Sequence, residues 1–320
     1  MASLAQETPL PNEAEQTAAF IAFLKAASLK RHPTGQMRRF NQGRASGAVE
    51  AEFTVPDTLP AEHRVGLFAR PGTYRAFIRF ANASSKTDRE PDVRGMAIRV
   101  DGVEGANLTP GKTFQDFVLN SHPVMPAPDA ARFFELLQAL EAGGFRAARY
   151  FLTHPQAALL GLAARGRPSS HLDIPYWSTV PSLFGEGRAV KYIAQPCSSR
   201  TSQKPDTPGE TYLRDAMRAH LSEADACFDF LIQFQTDPGH MPIEDATVEW
   251  KRGDSDYLPV ARIRIPRQSI DDPALIARGE AMGFSPWHAL VEHKPLGSMN
   301  RARRAIYVAM AQFRREHEGR

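Results

Sequence analysis

Cysteine is nearly absent from this chain. Two residues in 320, Cys197 and Cys227, offer neither a thiolate metal site nor a disulfide framework, and both are expected as reduced thiols. Long apolar runs are missing too. None approaches the ~18 residues that a spanning helix needs, so no membrane span is expected. The opening stretch MASLAQETPLPNEAEQ has no basic segment followed by an apolar one and does not read as a secretory signal, which makes a cytoplasmic location the expectation. Charge of one sign is also scarce. With 39 basic and 36 acidic residues the net charge is +3, a slight excess that gives neither a nucleic-acid nor a membrane address. Complete nucleotide fingerprints are lacking: Gly185-Glu-Gly187 has no third glycine and reads as a turn, and Gly161 to Gly166 is followed by Arg167-Pro168 where a phosphate loop needs Lys-Ser/Thr. His288 and Glu292 stand four apart, but no third metal ligand accompanies them.

What is present is a globular composition, 42% hydrophobic and 23% charged, long enough to bury a sizeable core. Residues 1–14 read as a loose arm and 15–30 as a helix. Strand-like runs follow at 48–55, 64–68, 74–80, 95–100 and 114–119, separated by turn residues. Residues 128–164 are helical in pattern. A second strand set is expected at about 174–181, 188–195, 228–236, 245–251 and 258–265, and helices at 272–281 and 299–317. The fold class is α+β: the two strand sets form one antiparallel sheet or barrel with helices inserted between them.

Chemistry concentrates near the C-terminus. Arg303, Tyr307 and Arg314 step by four and seven residues and share one face of a helix. A positive charge near a phenol favours the phenolate. A phenolate suits ferric iron, and tyrosine serves as an axial haem ligand; an arginine on the same face matches a propionate carboxylate. The alternative is an arginine-rich surface helix with Tyr307 packed at its edge. Arg79, set among apolar neighbours in Tyr74-Arg-Ala-Phe-Ile-Arg79-Phe80, needs an anion if it faces inward. A haem propionate, Asp92 or Asp116 would each serve. Asp92 and Arg94 read as structural. Asn120, at the end of the 114–119 strand, either orients a bound peroxide or serves a turn.

Taken in order, the segments RASGAVEAEFTV, GLFARPGTYRAFIRFANASS, DVRGMAIRV, DFVLNSHPV, MPIEDATVEW and FSPWHALVEHKPLGSMNRARRAIY resemble the haem catalase superfamily, most closely its short, single-barrel members of the peroxidase and allene-oxide-synthase-like kind. The resemblance spans roughly residues 30–317. It implies a catalase-like antiparallel β-barrel with inserted helices and a C-terminal haem-facing helix. The domain expectation is an N-terminal arm and helix over 1–40, then a barrel domain over 41–320 carrying helices 128–164 and 270–317. The implied cofactor is haem b with ferric iron, held at the metal by Tyr307. The family's Arg-x-x-x-Tyr falls on Arg303 and Tyr307, its later propionate arginine on Arg314, its strand arginine on Arg79, and the arginine before its first barrel strand on Arg39. Its distal asparagine falls on Asn120, and a phenylalanine over the distal haem face falls near Phe133.

The departures are as informative. The family writes Arg-x-x-His, whereas this chain reads Arg39-Phe-Asn-Gln42-Gly, so Gln42 aligns at the position of the distal acid–base histidine, with Asn41 or Gly43 the alternatives if the register slips. The serine that can support that histidine is Ala81 here. The standard distal proton shuttle is therefore absent. The implied function is an oxidoreductase of the catalase/peroxidase type that acts on organic or lipid hydroperoxides, with Asn120 and Gln42 at the reacting centre and weak or no H2O2 dismutation. Alternatives are a non-catalytic haem sensor or carrier, and a haem-free barrel that binds another apolar ligand. The expected partners are a hydroperoxide or another small molecule, with no nucleic acid. Catalases commonly assemble, so a homo-oligomer is within the implication.

Overall fold

The computed structural model describes residues 3–35, 37–84 and 87–318. Its centre is an antiparallel sheet that closes on itself. The first four strands, β1 (Arg44–Val55), β2 (Gly72–Asn82), β3 (Arg94–Asp101) and β4 (Phe114–Asn120), pair in sequence order. After three helices come β5 (Tyr176–Trp177), β6 (Ser182–Leu183), β7 (Ala189–Pro196), β8 (Ala226–Phe234) and β9 (Tyr257–Ile265). β9 pairs with β1 at one seam; β5 bridges β4 and β7 at the other, while β6 adds to β7. Eight strands thus form a closed barrel, with β4 and β5 meeting at Asn120 and Trp177. Alternate side chains point inward, as strand geometry requires. Phe53, Phe117, Tyr192 and Phe230 meet ring to ring in the interior and fill it.

Helices occupy the outside. α1 (Glu13–Arg31) and the C-terminal α7 (Ser298–Glu318) pack together. α2 (Ala130–Ala142) joins them, its first turn capped by the Asp129 carboxylate, which accepts the Arg132 N–H at 2.8 Å. α3 (Gly144–Thr153) and α4 (Pro155–Ala163) follow further out, α5 (Tyr212–Glu223) precedes β8, and α6 (Pro273–Ala281) lies against β1.

The structure corrects the sequence expectation at four places. Residues 64–68 form part of two short 3-10 turns, Ala61–His63 and Gly66–Phe68, not a strand; Gly66 takes a φ of +51° with the His293 ring directly against it. Residues 245–251 are not a strand either. Two of their carbonyls are taken by side chains of the barrel, Lys191 Nζ donating to Val248 O at 3.2 Å and Gln233 Nε2 to Trp250 O at 2.8 Å, while Ala246 O accepts the Met125 N–H at 2.9 Å. α5 was not expected. Finally, Cys197 and Cys227 are joined in a disulfide instead of being free thiols. β7 and β8 are hydrogen-bonded neighbours, and their pairing brings the two Cα atoms to 5.3 Å with Cys197 N–H donating to Cys227 O at 3.0 Å.

Candidate functional site

The site begins where the chain leaves α1 and enters β1. Gln42 adopts a left-handed φ of +57°, and its N–H donates to Ala83 O at 3.0 Å. That kink lays its side chain across β3 at Gly95, where a Cβ would lie 2.2 Å from Gln42 Oε1. Any side chain at that spot would displace the Gln42 amide. Gly95 is the cross-strand partner of Asn120, so the same placement brings the two amides together: Gln42 Nε2 donates to Asn120 Oδ1 at 3.3 Å. Gln42 Oε1 is buried and accepts no hydrogen bond from the described residues. A buried acceptor left open is costly unless something donates to it.

Arginines adjoin this amide pair. Arg79 is 3% exposed, and its Nη1 donates to Gln42 O at 2.9 Å. Its Nε and Nη2 donate to Glu280 Oε1 at 3.2 and 3.0 Å. Arg39 reaches the other carboxylate oxygen, Nη1 to Glu280 Oε2 at 2.8 Å. Its Nη2 closes the C-terminus of α6, donating to the carbonyls of Gly279, Glu280 and Met282, where backbone acceptors would otherwise be orphaned. Burial lowers the pKa of both arginines, and Glu280 opposes the fall. Burial by itself would raise the Glu280 carboxyl, but Arg79 and Arg39 outweigh it and hold it below the usual carboxylate range. Two guanidiniums therefore share one carboxylate. The charge of Arg314 also lowers the pKa of Arg39.

The stripe on α7 runs between two landmarks. At one end Arg303 donates to Asn300 Oδ1 at 3.2 Å and lines a water-sized cavity of about 20 Å³ beside β4, whose last residue is Asn120. At the other end stands Arg314, whose charge acts on Arg39. The two are about 16 Å apart along the helix at 1.5 Å per residue, and half-buried Tyr307 lies between them on the same face. The Arg303 guanidinium is bonded back toward the helix start, and no hydrogen bond joins it to Tyr307 among the described residues.

The structure thus unites Gln42 with Asn120, and Arg39 with Arg79. Phe133 is half-buried in the helical layer, edge-on to Phe20 with ring centroids 6.4 Å apart and packed beside Met125 and Met299. The anion partner of Arg79 is neither Asp92 nor Asp116. Asp116 is held by Arg99 and His288, and Asp92 by Ser84. Arg94 is buried in bonds to Asn82 and to Glu90 O, a structural role. Glu280 escaped the sequence reading because nothing local marks it: it lies 201 residues from Arg79. The set offers one phenol on a helix face, two guanidiniums that share one carboxylate, and an open amide acceptor on the barrel side.

The fold is catalase-like. Catalase A from Saccharomyces cerevisiae superposes with a TM-score of 0.71 at 15% identity, covering 98% of this chain and 67% of the catalase. A fungal catalase gives 0.69 at 15% identity, covering 98% and 65%, and a bacterial catalase gives 0.66 at 17%, covering 98% and 62%. The chain thus spans about two thirds of the length of these catalases, and at such identity the likeness concerns the fold. No family model matches the chain, and no curated protein matches it in sequence.

Proposed function

We propose that this protein holds haem b through Tyr307 and acts on organic or lipid hydroperoxides, with little dismutation of H2O2. The observation that carries this is convergence. Residues 39, 42, 79 and 120 come from three separate segments and meet in one bonded set, and the charge of Arg314 on α7 acts on Arg39 within it. When bound, ferric haem supplies the redox centre that activates a peroxide O–O bond. Tyr307 would hold its iron through the phenol oxygen, and Arg39, Arg79 and Arg314 would meet its propionates. On the barrel side, the Gln42 and Asn120 amides offer one acceptor and one donor for the oxygens of a hydroperoxide. Neither amide titrates near neutrality, so neither can take a proton from one peroxide oxygen and return it to the other. Losing such general acid–base help costs about 10²–10⁴-fold. Rearrangement of an organic hydroperoxide asks for less proton transfer than dismutation and needs no outside electron donor. The test is to load the protein with haem and follow consumption of a fatty-acid hydroperoxide beside O2 release from H2O2. Organic hydroperoxide should be consumed. O2 release at rates typical of true catalases would refute the assignment. The same amide pair also supports a second reading, a haem carrier or sensor without turnover, for which a stable ferrous–ligand complex and inert hydroperoxides would be the result.

A further inference from the structure

Helices α3 and α4 contribute little to the core: α3 has no buried residue and α4 has one, Ala157. Their large apolar side chains face outward instead. Phe145 is 80% exposed, Leu152 83%, Leu159 68% and Leu162 70%. Phe145 and Leu152, seven apart, share one face of α3; Leu159 and Leu162, three apart, share one face of α4. Single exposed leucines are ordinary on a protein surface, but four large apolar side chains on successive helices are not.

Along the chain the charge of this segment is of one sign, and the nearest acid of α2, Glu135, is paired with Arg132. From Gly143 to Leu172 there is no Asp or Glu, while Arg146, Arg149, Arg165 and Arg167 are all exposed. This local charge of four exceeds the net +3 of the whole chain. Arg167 donates to Arg89 O at 3.2 Å, and none of the four arginines has an ion-pair partner among the described residues. The flanking acids are engaged elsewhere, Glu141 with Arg31 and Asp173 with Ser169 and Ser202. Arg149 follows Phe145 by four residues and precedes Leu152 by three, so a guanidinium stands within the apolar stripe itself. Such a stem can lie among acyl chains while its head meets phosphate.

We propose that the α3–α4 face docks on an anionic lipid surface, with the four apolar side chains entering the headgroup boundary and the arginines meeting acidic headgroups. A second copy of this chain fits less well. A two-fold contact would set this acid-free face against itself, arginine facing arginine, which opposes association. The docking does not depend on haem.

The experiment is vesicle co-sedimentation of the full chain with phosphatidylcholine alone and with added phosphatidylserine, at low and high salt. Binding should require phosphatidylserine and fall with salt. Each arginine near an anionic surface contributes about fivefold, so the double variant Arg146→Glu/Arg149→Glu should bind about 25-fold more weakly or worse. Phe145→Ser/Leu152→Ser should also weaken binding, with an unchanged unfolding midpoint because both positions are exposed. The proposal is overturned by absence of binding to phosphatidylserine vesicles, by salt-independent binding, or by arginine variants that bind as the parent does. It is equally overturned if the face instead forms a concentration-dependent dimer that Leu152→Ser abolishes.

Discussion

Replacing Glu280 with glutamine should expose how the arginine cluster is held. The carboxylate accepts three hydrogen bonds, from Arg79 at 3.2 and 3.0 Å and from Arg39 at 2.8 Å. The side chains involved are 3% exposed for Arg79, 15% for Arg39 and 29% for Glu280. Removing one partner of a buried pair costs about 3–5 kcal/mol. Glutamine keeps one acceptor, Arg39 keeps its three carbonyls, and Glu280 retains some water contact. The loss expected in the haem-free protein is therefore at the lower end, about 3 kcal/mol. Its pH dependence has a definite sign. Glu280 titrates lower when folded than its ordinary value of 4.5, so its stabilisation is present above that value and disappears as pH falls through the folded pKa. Urea unfolding of parent and Glu280→Gln across a pH series measures both. The gap should be widest near neutrality and close in acid. A neutral-pH gap under about 1 kcal/mol, or one that persists in acid, would refute the reasoning. Haem carboxylates entering the same cluster should stabilise the variant more than the parent.

Gln42→His should restore a titratable group beside Asn120, and histidine tolerates the left-handed backbone there. O2 release from H2O2 by the haem-loaded variant should rise toward the low end of about 10²–10⁴-fold, because Ala81 offers the new imidazole no hydroxyl; no rise would remove position 42 from the reacting centre. Cys197→Ser opens a link that joins residues 30 apart and should cost about 3.5 kcal/mol by the loop-entropy relation. An unchanged unfolding midpoint, with two thiols titrating in the unfolded parent without reductant, would return these cysteines to the free state expected from their number.

Much of the barrel was readable because strand alternation survives translation into a closed sheet. β1 to β4, β8 and β9 fall where period-two runs lie, and α1, α6 and α7 where apolar periodicity lies. The failures have physical causes. Leu67 and Phe68 are buried as strand residues would be, but a 3-10 turn buries them. Ala246 and Trp250 are buried too, yet their segment bonds barrel side chains and the loop backbone at Met125 and Pro128 instead of a strand. Burial pattern alone does not separate these cases. α5 carried a legible stripe, Leu213, Met217 and Leu221, which the strand-rich reading of its surroundings passed over. At the site, the α7 spacing and the lone Arg79 were visible in sequence. Glu280, Gly95 and the disulfide depend on contacts between distant segments, and no local pattern encodes them.

Haem titration of the haem-free protein, followed by visible absorption beside Tyr307→Phe, tests the central claim most directly. The parent should develop a Soret band with high-spin ferric charge-transfer features at near one haem per chain, and the variant, which keeps the ring and loses the oxygen, should lose or shift that spectrum while remaining folded. A folded parent that develops no Soret band, or a Tyr307→Phe spectrum identical to the parent's, would contradict a tyrosine-ligated haem site on this barrel.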